Sequence, residues 1–273
     1  MDWVVIALST VIVFSLGAAI GSFLNVVVYR IPAGQSLVHP PSRCPHCQHT
    51  LSPQDNIPVL GWILLRGRCR YCRTAIAWRY PLVEALTGFM FLVVFLQFDW
   101  SIQTIRYWLL GSWLLALALI DLDTLTLPDV LIKPGLIVGV VLYPWQAYVT
   151  APTTETVVQH GIGAIAGAVV GLWLLDSIRL VASLLMGQEA MGIADPKLAA
   201  MIGAWLGVSN LLIALFIACA AGAMLGAVTI LLRRRSRRQP IPFGPFLAVG
   251  GFVAALWGQS LIRLYLQAVG LVE

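Results

Sequence analysis

Charge is scarce in this chain: of 273 residues only 11% are Asp, Glu, Lys or Arg, against 59% hydrophobic. Soluble domains carry roughly 25% charged residues, so a water-soluble globule is excluded. Other absences narrow the reading. No basic residue precedes the first apolar run, WVVIALSTVIVFSLGAAIGSFLNVVVYR, and no clear small-residue cleavage site ends it. It therefore reads as a retained span with its N-terminus outside, not as a secretory signal. No repeat indicates the inverted halves of a transporter, and no glycine-rich dinucleotide fingerprint is present. Lys and Arg are missing from the connections near 99–103 and 150–156.

What remains is apolar runs of about 20 residues, the length that crosses a bilayer as a helix. They predict an all-α polytopic membrane protein with about eight transmembrane helices, near 3–29, 81–98, 104–120, 129–149, 157–186, 196–206, 209–233 and 244–267. The sixth is short, so it is expected to be a half-span or one arm of a hairpin with the seventh. Basic residues set the orientation. Arg30, Arg43, Arg66, Arg68, Arg70, Arg73 and Arg79 flank or lie in the 31–80 segment, and Arg233, Arg234, Arg235, Arg237 and Arg238 lie between the last two spans. By the positive-inside rule these segments, the 121–128 turn and the 187–195 loop face the cytoplasm. The RRRSRR run reads as a stop-transfer anchor, so no nucleic-acid partner is expected.

The polar segment 31–80 contains CPHC (Cys44, Cys47) and CRYC (Cys69, Cys72). Two close thiolate pairs on separate knuckles complete a tetrahedral Zn²⁺ site. On the reducing side of a membrane such pairs bind metal more often than they form disulfides; a redox CxxC is the competing reading. A four-cysteine site is closed, so the zinc is read as structural. His46 and His49 are loop bystanders, and Cys219 is a packing thiol.

The twelve acids of the chain include Glu84, Asp121, Asp123, Asp129, Glu189 and Asp195 near the cytoplasmic ends of spans, with Asp176 an exception inside the fifth. Ionisable groups at membrane depth are costly and mark candidate functional sites. Asp129 follows Pro128 and suits the first turn of a helix. Asp123 is expected in the middle of a turn, as a solvated acid or a substrate contact. Asp121 continues the apolar run of the third span, where water is scarce. Asp195 precedes Pro196 and reads as an N-cap. Lys197 opposes the dipole of that helix, so it needs an acidic partner, Asp195 or a substrate. If the Asp195 loop packs against the end of the third span, the two carboxyls share one pocket and retain one proton between them. Such a pair performs acid–base hydrolysis of a peptide bond without a nucleophilic side chain or a metal.

Together the stretches GSFLNVVVYRIP (21–32), CPHC…GRCRYC (44–72), RYPLVEALTG (79–88), IDLDTLTLPD (120–129) and MGIADPKL…GAWLG (191–207) resemble the bacterial type IV prepilin peptidases, membrane aspartic proteases of the GxGD class. The resemblance spans nearly the whole chain. It implies Asp121 and Asp195 as the catalytic pair; beside them Lys197, Asp123, Asp129, Glu84 and Asn25 read from their own positions as candidate substrate or supporting residues. For Asn25 and Glu84, interhelical hydrogen bonding is an equal alternative; Arg79 and Tyr80 read as interfacial anchors. One departure stands out: GIAD has Ala194 where the family has its second glycine, followed by Pro196. Ala tolerates positive φ poorly, so either the position does not require it or the loop is shifted.

The resemblance further implies cleavage of prepilins or type II secretion pseudopilins after a glycine, at the cytoplasmic face of the inner membrane. It also implies N-methylation of the new terminus with S-adenosylmethionine as donor. The chain then divides into a first transmembrane helix (1–30), a zinc-binding insert (31–80) and a membrane-embedded peptidase bundle (81–273). The competing reading is a non-enzymatic scaffold or transporter whose zinc knuckle docks a partner. Acids gathered at span ends, not mid-depth, favour the protease.

Overall fold

The structure, a computed structural model, describes residues 3–187, 189, 191–232 and 242–270. Its helices among the described residues are α1 (Trp3–Arg30), α2 (Leu60–Leu64), α3 (Arg79–Phe98), α4 (Ile102–Thr124), α5 (Asp129–Thr150), α6 (Thr154–Met186), α7 (Asp195–Leu231) and α8 (Gly244–Ala268). All but α2 are long and apolar enough to cross a membrane, making seven candidate spans. The chain forms two compact units, Met1–Trp108 and Leu109–Glu273.

In the first unit α1 packs on α3 through small residues. A side chain at Gly17 would meet Phe91, and one at Gly21 would meet the Glu84 backbone and Thr87. Lipid tails are as apolar as leucine, so membrane helices associate by such close backbone approach and not by hydrophobic exclusion. Between them the insert forms two matching knuckles. In each, the first cysteine amide bonds a carbonyl five residues on (Cys44 to His49, 3.0 Å; Cys69 to Thr74, 2.8 Å). In each, the residue directly after the second cysteine turns through positive φ (Gln48, 56°; Arg73, 60°).

In the second unit α7 is two helices. Gly207 breaks it at φ 73°, ψ 176°, a conformation essentially restricted to glycine. Consecutive residues Gly250 and Gly251 of α8 abut Ala214 and Ile202, which flank the break. In a straight helix those twelve positions would lie about 18 Å apart, so the chain folds back sharply at Gly207. The first arm runs along α6, where Gly203 abuts Gly167 and Ala199 abuts Gly171. The second arm runs along α8, with Asn210 by Gly258 and Gly222 by Phe243. The hairpin foreseen for the sixth and seventh runs is thus present, its turn set by one residue. Trp205, fully buried at the end of the first arm, donates its indole N–H to the Gly135 carbonyl of α5 at 2.7 Å.

Two expectations need correction. The turn expected at 121–128 is shorter, because α4 continues to Thr124. Asp123 therefore sits on its last helical turn and not mid-loop; the chain reverses at Leu125, φ 53°. The basic run at 233–238 lies outside the described residues.

Candidate active site

The first acid, Asp121, stands in the last turn of α4 and is buried, 5% exposed. Its Oδ2 accepts the backbone N–H of Gly244, the first residue of α8, at 3.0 Å. That approach depends on the absence of a side chain: a Cβ on Gly244 would lie 2.6 Å from Asp121 Oδ2. The free N–H groups and dipole of a helix N-terminus suit a carboxylate.

Asp195 is the first residue of α7 and equally buried, 4% exposed. It was expected to cap that helix. Instead its Oδ2 accepts the N–H of Gly192 behind it at 3.1 Å, while its own N–H bonds the Gly192 carbonyl at 3.2 Å. The aspartate is thus held by a tight turn of its own loop, not committed forward to the helix. Ala194 is not among the residues with positive φ, and its carbonyl starts the helix by accepting from Leu198 at 3.1 Å. The alanine is therefore accommodated without strain. Although 74 positions apart in the sequence, the carboxyls of Asp121 and Asp195 lie near enough for one charge to act directly on the other.

Lys197 has a different partner from those anticipated. Its Nζ meets Asp129 Oδ1 at 2.8 Å, and Lys133 meets Asp129 Oδ2 at 3.1 Å. Asp129, at the first turn of α5 as expected, therefore ties the start of α5 to the first turn of α7, two residues beyond Asp195. Asp123 is exposed. Asp176 pairs with Arg179 on its own helix at 2.7 Å. A cavity of about 250 Å³ lined by Leu172, Trp173, Asp176, Ile193, Pro196 and Lys197 opens beside the Asp195 loop.

The first unit holds the other residues singled out. Asn25 of α1 donates to the Tyr80 carbonyl of α3 at 3.2 Å, an interhelical tie. Glu84 accepts the Val59 N–H at 2.7 Å, joining α3 to the start of α2. The sulfurs of Cys44, Cys47, Cys69 and Cys72 all lie within 4.8 Å of one another. The Cys44–Cys72 and Cys47–Cys69 separations are 3.7 and 4.0 Å. Four sulfurs about 2.3 Å from a tetrahedral metal are about 3.8 Å apart, so the donor set and its size can hold a metal ion. His46 and His49 lie outside that cluster, and the His49 ring packs on Tyr71 at 3.6 Å. Arg70 of the second knuckle bonds Asp55, which lies between the two, at 2.6 Å; its guanidinium holds the Asp55 carboxyl below the usual carboxylate range.

Sequence reasoning missed Gly244 and Gly192, whose amides hold the two acids. A glycine at the start of the last span was the available signal for the first, but nothing local pairs it with Asp121, 123 residues away.

The model of the bacterial peptidase A24 N-terminal domain matches residues 15–98, and that of the type IV leader peptidase family matches residues 108–227. A prepilin leader peptidase/N-methyltransferase of Aeromonas salmonicida strain A449 is 40% identical over 283 residues, covering 94% of each chain. The proteins of the same description from Stutzerimonas stutzeri and Pseudomonas aeruginosa are each 37% identical, covering 92% and 93% of this chain and 92% of their own. No solved structure matches the chain.

Proposed function

Because the chain belongs to the type IV leader peptidase family, we propose that it is a membrane aspartic endopeptidase that removes the basic leader of prepilins or type II secretion pseudopilins after a glycine. The observation that carries this reading is the convergence of two buried aspartates from distant parts of the chain, Asp121 and Asp195, close enough to interact electrostatically. The scaffold or transporter reading is not favoured by family membership.

In this reading the pair holds one proton, as two neighbouring carboxyls do. The ionised member takes a proton from water as its oxygen attacks the peptide carbonyl. The protonated member gives its proton to the carbonyl oxygen, producing a tetrahedral diol. Return of a proton to the departing nitrogen breaks the C–N bond and leaves a free carboxyl and a new amine. Gly244 and Gly192 keep the two carboxylates in register through their amides. The Asp129–Lys197 pair holds the first turn of α7, and so Asp195, in place. Asp123, exposed at the rim, is left as a contact for the basic leader.

We place the insert, the α4–α5 turn and the α6–α7 loop at the cytoplasmic face of the inner membrane, supported by the arginines around the insert and their absence from the opposite connections. Zinc is the metal proposed for Cys44, Cys47, Cys69 and Cys72; it would fix the insert's fold and takes no part in hydrolysis. Methylation of the new N-terminus, with S-adenosylmethionine as donor, rests on the description of the relatives. Asn25 and Glu84 are both engaged by protein groups, so they read as structural ties, and no donor pocket is assigned to them.

The test is incubation of the purified protein in nanodiscs with a prepilin and S-adenosylmethionine, followed by mass spectrometry. The reading predicts a new terminus directly after the leader glycine and the mass of one added methyl group. An intact prepilin would overturn it.

A further inference from the structure

The insert presents an apolar edge that its own fold leaves uncovered. In α2, Gly61 is buried against the Asp55 carbonyl. Trp62 turns inward, donating to the Ile76 carbonyl at 3.1 Å and packing on Gly67. With that face fixed, Leu60, Ile63 and Leu64 point outward, 57, 55 and 76% exposed. Three adjacent large aliphatic side chains held out by a rigid anchor call for an apolar surface.

The level of that edge follows from its attachment. α3 has 20 residues, about 30 Å, the thickness of the hydrocarbon core. Glu84, which accepts the Val59 N–H at 2.7 Å, lies five residues past the start of α3, about 7.5 Å along its axis. Interfacial helices bury their apolar face about 5–10 Å into the boundary between headgroups and acyl chains. Val59 is held at φ 63°, a conformation a β-branched residue rarely takes, so α2 begins where Glu84 fixes it. Trp78 and Tyr80, 69 and 48% exposed at the same end of α3, mark the aromatic belt of an interface.

Charge completes the match. Arg66 and Arg68, directly after α2, are exposed; their backbone N–H groups close the turn onto Ile63 and Leu65, while their guanidinium groups have no hydrogen-bond or ion-pair partner among the described residues. Anionic headgroups attract such residues.

We propose that the insert docks on the bilayer that carries it: Leu60, Ile63 and Leu64 enter the acyl boundary, and Arg66 and Arg68 bind anionic lipid headgroups. The insert is thereby fixed at a set height and tilt on the membrane. The inference depends on α3 spanning the bilayer and not on the catalytic assignment.

The test uses the full chain, one copy per nanodisc of phosphatidylglycerol and phosphatidylcholine, so that no protein partner is present. A nitroxide amino acid replaces Leu64 or, as an aqueous reference, the exposed Gln48; a third sample carries it at lipid-facing Leu82 of α3. Accessibility to oxygen and to a water-soluble nickel chelate is then compared. The proposal predicts that the label at 64 is shielded from nickel as at 82, with 48 fully accessible. A label at 64 as accessible as at 48 would overturn it and leave the edge to a protein partner. Native mass spectrometry of Arg66→Gln and Arg68→Gln should show phosphatidylglycerol binding weakened about five-fold per arginine; unchanged binding would refute the headgroup contact.

Discussion

Gly244→Ala isolates the positioning of Asp121 from everything else in the molecule. The new methyl would lie 2.6 Å from Asp121 Oδ2 and 3.1 Å from its Cγ. Restoring ordinary contact needs a shift of about 1 Å, enough to break the 3.0 Å bond from the Gly244 amide. Losing a hydrogen bond to a charged group costs about 1.5–3 kcal/mol, and a misplacement of about 1 Å costs about a hundredfold in rate. The variant should therefore cut a tagged prepilin about ten- to a hundredfold more slowly in kcat, with KM little changed because no substrate contact is altered. Overpacking at this buried first residue of α8 should also lower stability by about 1–3 kcal/mol, so rates are compared at matched levels of folded protein. Gly161→Ala on α6 is the control, since nothing lies within 4 Å of its Cβ position. Full activity in Gly244→Ala would refute the claim that the start of α8 sets the catalytic carboxylate.

Lys197→Met should lower stability little, since the pair with Asp129 is part-exposed, yet lower kcat several-fold by loosening the first turn of α7. Asp129→Asn should add little on top of it, the two residues acting as one tie; a double-mutant cycle with the cleavage assay measures this. Cys47→Ser should lower metal content, read by elemental mass spectrometry, and brief chelator treatment should leave initial cleavage rates unchanged. A rapid loss of cleavage with helicity intact by circular dichroism would contradict a structural metal.

Local pattern carried much of the architecture into view. Span positions follow from apolar run length, and the two CxxC pairs are complete within 29 residues of sequence, so the Cys44, Cys47, Cys69 and Cys72 cluster was legible at once. Asp121 and Asp195 stood out because charge at the end of an apolar run is rare. The partners were not legible. Lys197 bonds Asp129 across 68 positions and Asp121 bonds Gly244 across 123; contacts of that separation depend on helix packing, which no local signal encodes. Helix ends shifted for a related reason. α4 keeps Asp121 and Asp123 helical because the chain needs a left-handed residue to stop, and Leu125 rather than a glycine supplies it. Gly207 carried no turn signature of its own among its apolar neighbours, although the shortness of the sixth run pointed to a reversal there.

The central claim is that Asp121 and Asp195 act together on the peptide bond. The most direct measurement is cleavage of a tagged prepilin by membranes carrying wild type, Asp121→Asn or Asp195→Asn at matched protein levels. The amide keeps size and much of the hydrogen bonding while removing the titratable proton. The account predicts that each single change abolishes cleavage. Continued cleavage by both variants would contradict it and return the two acids to helix-end roles.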